Sequence, residues 1–152
     1  SPRASQGSDK VRVWIMQPFH LALPVDDLAS ARAFYGSLLG CPEGRSAPAW
    51  VDFDFFGHQL SVHLRPEEVA AARTNPVDGD DIPVRHFGLV LPWAEWQALH
   101  AQMTDASVEF LLEPKVRFVG QVGEQGTFFM QDPAGNALEF KTFRDPTRLF
   151  VS

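Results

Sequence analysis

The chain has one cysteine, one tyrosine and no apolar run approaching the length of a membrane span. A lone Cys41 cannot form an internal disulfide, which fits a reducing compartment. It follows the first predicted helix and reads as a packing residue rather than a catalytic thiol. Basic residues are also short, 13 against 19 acidic for a net charge of -6, and no Lys/Arg cluster interrupts that balance. Nucleic acid and an acidic membrane surface are therefore poor partners. Residues 1–10, SPRASQGSDK, lack the hydrophobic segment of a secretory signal. Residues 1–12 read as a flexible tail on a soluble, cytoplasmic domain. What the chain does have is 45% hydrophobic residues, with thirteen Phe and four Trp in 152, enough for one substantial core.

The chain repeats itself. HLALPVDDLASARAFY, from His20, aligns with HFGLVLPWAEWQALHA, from His86. Each stretch opens on His, runs through a short apolar strand and meets a helix start: Asp26-Asp27 in one, Pro92 with Glu95 in the other. In the first helix Leu28, Ala31, Phe34, Tyr35, Leu38 and Leu39 fall on one stripe, and Gly40 supplies the stop. In the second, Trp93, Trp96, Leu99 and Met103 form the stripe, with His100 at its boundary. Strands follow each helix: Trp50–Phe56 and Gln59–Leu64 in the first half, and Val108–Leu112, Lys115–Val119, Thr127–Gln131 and Ala137–Phe143 in the second. Residues 65–84 read as a linker with a short helix around Glu67 to Arg73. The expected class is α+β, two βαβββ modules in tandem: module 1 over 13–64, module 2 over 85–143, and an extension over 144–152. Neither module closes a core alone.

The last strand, in DPAGNALEFKTF (132–143), carries Glu139 amid apolar residues. A lone strand carboxylate usually faces solvent. His20 and His86, however, stand at equivalent positions of the repeat, where their side chains converge if equivalent strands become neighbours. Two imidazoles and one carboxylate, with open positions left, form a facial triad suited to Fe(II), and Zn(II) also accepts such a set. The open positions leave the cation a Lewis acid for substrate oxygens.

PFHLALPVDDLASARAFYGSLLG (18–40), RHFGLVLP (85–92) and FFMQDPAGNALEF (128–140) together resemble the vicinal oxygen chelate superfamily. That group holds glyoxalase I, extradiol dioxygenases, fosfomycin-resistance enzymes and bleomycin-resistance proteins. The resemblance implies paired modules forming a cupped mixed β-sheet around a metal, His20, His86 and Glu139 as its ligands, and a homodimer. It also implies a divalent ion, with Fe(II) favoured and Mn, Zn or Ni as alternatives. Aligning GHQLSVHL (57–64) with GNALEFKT (135–142) puts Ser61 where glyoxalase I-like members place a second carboxylate. Extradiol-type dioxygenase chemistry is the leading expectation. A lyase, isomerase or thiol transferase on a redox-inert ion, and a non-catalytic drug-binding protein, are the alternatives. His63, two residues beyond Ser61 on the same strand face, and Tyr35 are the candidate bases, though Tyr35 also fits the core stripe. His58, in a tight turn, reads as a surface residue. Asp52 and Asp54 share a strand face with Trp50 that reads as exposed. Arg117, Gln121 and Glu124, in the glycine-rich segment 115–127, are candidate substrate contacts.

Overall fold

The computed structural model describes residues 3–8, 11–69, 74–77, 80–83 and 85–151. Its strands are β1 (Arg3–Ser8), β2 (Val11–Ile15), β3 (His20–Val25), β4 (Glu43–Ala47), β5 (Trp50–Phe55), β6 (His58–Leu64), β7 (Thr74–Val77), β8 (Asp80–Pro83), β9 (His86–Val90), β10 (Leu112–Arg117), β11 (Gln125–Gln131) and β12 (Ala137–Phe143). Helix α1 opens over Leu28–Ala31 and widens to a π-type helix over Arg32–Leu38; α2 spans Trp93–Asp105. The repeat is thus β3-α1-β4-β5-β6 and β9-α2-β10-β11-β12. Two four-stranded sheets result, ordered β3-β6-β5-β4 and β10-β11-β12-β9. In each, the first strand of the module pairs in parallel with the last, and the remaining pairs are antiparallel.

Local chemistry sets the helix ends. The Asp27 side chain accepts from Ala29 N at 3.0 Å and from Ser30 Oγ at 2.7 Å, capping α1. At the other end Leu39 N reaches back five residues to Phe34 O, and Gly40 takes φ 74, which side chains disfavour. Ala31, Phe34, Tyr35 and Leu39 are buried on α1, and Trp96, Leu99 and Met103 on α2, so both predicted stripes face the core. Trp96 donates Nε1–H to Phe140 O at 2.9 Å. Its indole lies against Gly126, where an added Cβ would sit 2.8 Å from the ring.

Several expected boundaries move. The first half gains β4, which completes the expected βαβββ order in a stretch where the sequence marks no strand range. In the second, Val108–Leu112 and Lys115–Val119 give way to one strand, β10, whose register shifts between Leu112 and Lys115. The linker helix shrinks to a 3₁₀ turn over Pro66–Glu68, while Ala70–Arg73 lie outside the described residues. Pro76 disfavours helix, and β7 and β8 pair as an antiparallel ladder. The expected N-terminal tail contains β1, which pairs antiparallel with β2; Val11, Val13 and Ile15 favour extended backbone.

The two modules share one core. Val25, Phe34, Tyr35, Phe53, Phe55, Leu60 and Val62 of the first join Trp96, Met103, Phe128, Met130, Leu138 and Phe140 of the second in a single buried cluster. Each such side chain contributes about 1.5–3 kcal/mol on burial. The Phe55 ring lies 5.5 Å from Phe87 and 6.3 Å from Phe140, centroid to centroid. Were the sheets joined edge to edge through β3 and β9, β5 and β12 would stand four strand spacings apart, roughly 19 Å. The sheets therefore pack through their apolar faces. Polar ties reinforce the contact. The Tyr35 hydroxyl donates to Asp132 Oδ2 at 2.8 Å, Asn136 Nδ2 donates to Pro24 O at 3.0 Å, and Gln102 Nε2 donates to Leu38 O at 3.1 Å.

Candidate metal centre

Strand alternation decides which side chains face away from this core. On β3 and β6, Val25, Leu60 and Val62 point inward, so His20, Ala22, Gln59, Ser61 and His63 take the opposite face. On β9 and β12, Phe87, Leu89, Leu138 and Phe140 point inward, leaving His86, Gly88, Glu139 and Lys141 outside. Register confirms the repeat residue by residue. Ala22 pairs with Ser61 as Gly88 pairs with Glu139, and Pro24 with His63 as Val90 with Lys141. Ser61 is therefore the structural counterpart of Glu139.

His86 and Glu139 meet. His86 Nδ1 lies 2.9 Å from Pro83 O, and a carbonyl oxygen only accepts, so that nitrogen carries a proton. In the neutral ring, Nε2 then presents a lone pair 3.4 Å from Glu139 Oε1. Glu139 Oε2 accepts from Thr127 Oγ1 at 2.6 Å. The Phe129 ring packs edge-on to the imidazole, centroids 4.9 Å apart. Two donor atoms bonded at ~2.1 Å to one cation stand roughly 3.0–3.4 Å apart, so this pair fits a shared divalent ion. The hydrogen bonds behind both ligands are the outer shell such a site requires.

His20 is prepared in the same way. Its Nδ1 lies 2.9 Å from Gln59 Oε1, and Gln59 Nε2 donates to Asp52 Oδ2 at 3.1 Å, which fixes the amide's orientation. His20 Nδ1 therefore donates, leaving Nε2 available. Asp52 Oδ1 also accepts from Ser61 Oγ. The sequence leaves open whether the three candidate ligands meet within one chain or across a dimer, and within one chain they do not form a group. The ligand-bearing faces are the outer faces of two sheets packed through their inner ones. Among the described residues no group of three His, Cys, Asp or Glu side chains could hold a metal. One chain presents two candidate half-sites, His20 with Ser61 and His86 with Glu139.

The remaining candidates separate clearly. Tyr35 is fully buried and its hydroxyl is committed to Asp132; burial pushes its pKa well above the usual value. It is a core residue and not a base at either half-site. His63 is exposed, on the same face as Ser61 toward the far end of β6, beside Pro24 and Ala49. Arg117 lines the cavity that holds His86 and Glu139, together with Ile82, Gln125, Thr127 and Lys141. Gln121 and Glu124 do not line it. Gln121 stands exposed in a turn, and Glu124 Oε1 accepts from Gly120 N at 3.2 Å, a tie within the loop. His58 is half-buried rather than a plain surface residue, its Nδ1 accepting from Phe19 N at 2.9 Å. Burial pushes the Cys41 thiol up to about 11, in keeping with a packing role.

Sequence reasoning missed Gln59, Thr127 and the carbonyl of Pro83, and it gave Asp52 only an exposed face. Gln59, Thr127 and Asp52 act across strand pairings, which period-two alternation cannot register, and Pro83 acts through a main-chain carbonyl three residues before His86, which no side-chain pattern marks. Gly88 was missed as well. A Cβ there would overlap the backbone carbonyl of Glu139, so glycine is what lets β9 approach the ligand strand.

Tandem βαβββ modules, each with a parallel pairing of its first and last strands, define the fold class. The chain belongs to the Glyoxalase/Bleomycin resistance protein/Dioxygenase superfamily, whose model matches residues 17–140. Among solved structures, it is similar to a glyoxalase/bleomycin resistance protein/dioxygenase from Alicyclobacillus acidocaldarius. The two share 33% identity over 88% of this chain and 96% of that one, with a TM-score of 0.71. In fold alone it is similar to the fosfomycin resistance protein FosX from Listeria monocytogenes, at 16% identity, 84% and 93% coverage and TM-score 0.64. A lactoylglutathione lyase from Agrobacterium tumefaciens shares the fold at 22% identity, 83% and 92% coverage and TM-score 0.58. No protein of curated function matches the chain. Among the described residues no helix is long and apolar enough to cross a membrane.

Proposed function

We propose that the protein is a metal-dependent enzyme acting on a small molecule with adjacent oxygen atoms, most closely an extradiol-type dioxygenase using Fe(II). The observation that carries this reading is the His86–Glu139 pair. Its two acceptor atoms lie 3.4 Å apart, and each side chain is held from behind by Pro83 O or Thr127 Oγ1. His20, oriented by Gln59, is the third ligand. Because the half-sites occupy outer faces, the full set forms when module 1 of one chain meets module 2 of a second, in a homodimer.

When bound, the cation supplies Lewis acidity to two adjacent substrate oxygens and, as Fe(II), the redox chemistry that ring cleavage with O2 needs. The protein's part is to present neutral imidazole nitrogens and one carboxylate, leaving positions open. His63 is the candidate base, on the same face as His20 and Ser61. Ser61, tied to Asp52, supplies no carboxylate at the fourth position, which counts against glyoxalase I-type proton transfer. A lyase, isomerase or thiol transferase with a redox-inert ion uses the same three ligands and is the second reading, favoured by the fold shared with FosX and the lyase.

Metal analysis of protein purified without chelators tests the site. Near-stoichiometric divalent metal in wild type, lost in Glu139→Ala, is expected. Equal metal in both, or none in wild type, overturns the assignment. Turnover of a catechol that persists without O2 rejects ring cleavage in favour of the second reading.

A further inference from the structure

Lys141 lines the cavity beside Glu139, as does Arg117, which is engaged with a partner of its own. Lys141 is half-buried, and among the described residues it has no ion pair. Its cross-strand neighbours are Val90 and Thr127, neither acidic, and its ammonium stands 5.7 Å from the Phe143 ring. The nearest acid along its strand, Glu139, is engaged by His86 and Thr127. A partly desolvated ammonium without a counter-charge is unfavourable and gains most from an anion brought by a ligand.

Lys141 occupies in module 2 the place that His63 occupies in module 1, each two residues past the Glu139/Ser61 position on the same face. We infer that the substrate carries an anionic oxygen group, a carboxylate or phosphonate, which Lys141 binds. The inference rests on the proposed function only for the position of the metal; the anion contact itself belongs to Lys141.

Matched probes test it: catechol, 3,4-dihydroxybenzoate and 3,4-dihydroxyphenylphosphonate, titrated by calorimetry into metal-loaded dimer and into dimer stripped with EDTA. At least one acidic probe is expected to bind wild type at least about tenfold tighter than catechol in both states, and which acid does so names the group. In Lys141→Met that preference is expected to fall to within about twofold with metal content unchanged, and Lys141→Arg is expected to retain it. Equal affinity for catechol and both acids, no binding of either acid in either state, or a preference that survives in Lys141→Met overturns the inference. A failed metal centre is read separately, from the absence of metal in wild type, and leaves the comparison on stripped protein decisive.

Discussion

Thr127→Val isolates the outer shell of the proposed centre. The substitution keeps the shape of the side chain and removes the hydroxyl that donates to Glu139 Oε2 at 2.6 Å. β11 is an inner strand of its sheet, and Val favours such backbone at least as well as Thr, so stability should stay within about 0.5 kcal/mol of wild type. The effect belongs in metal affinity. Without the hydroxyl, the carboxylate is free to rotate about its last bond, and Oε1 is no longer held toward His86 Nε2. Loss of one such outer-shell partner weakens metal binding about 10- to 100-fold, or about 1.4–2.8 kcal/mol. Competition of metal-loaded protein against a chelator of known affinity measures this directly, with Thr127→Ser expected to restore most of the loss. Metal affinity unchanged in Thr127→Val, with folding intact, would refute the claim that Glu139 is a ligand oriented from behind.

Three further outcomes follow from the same contacts. Tyr35→Phe strips one donor from the buried Asp132 and should cost about 1–3 kcal/mol, seen as a lower urea midpoint with an unchanged slope. Gly88→Ala drives a methyl group into the Glu139 backbone; it should destabilise the chain by about 1–3 kcal/mol in urea and also lower bound metal, because β9 and β12 cannot both keep their places. Cys41, with its thiol pushed up to about 11 and its side chain buried, stays protonated at pH 8; iodoacetamide should label it in urea but not in native protein, as read by mass spectrometry.

Much of the fold was legible because helix and strand periods are local. The stripes on α1 and α2 and the Asp27 and Gly40 helix ends could each be read from a few neighbouring residues. The alignment of Ser61 with Glu139 came from the repeat and matches the pairing of both sheets. β4 escaped because Glu43–Ala47 lacks both apolar alternation and β-branched residues. Its pairing with β5 makes it a strand, and that is a non-local fact.

The site divides along the same line. His20 and His86 stand out in sequence because they recur at matching positions, Glu139 because it is a carboxylate in an apolar strand, and chemistry restricts what two imidazoles and a carboxylate do together. Which face they occupy relative to the second module is not a local property. Phe55 meeting Phe87 and Phe140 turns the candidate ligand faces outward; hydrogen bonds across strands select Gln59 and Thr127, and a local one selects Pro83, as the groups that hold the candidate ligands. Alternation along a strand determines that Glu139 opposes the core. Only the packing of one sheet on the other decides that His20 of the same chain is not beside it.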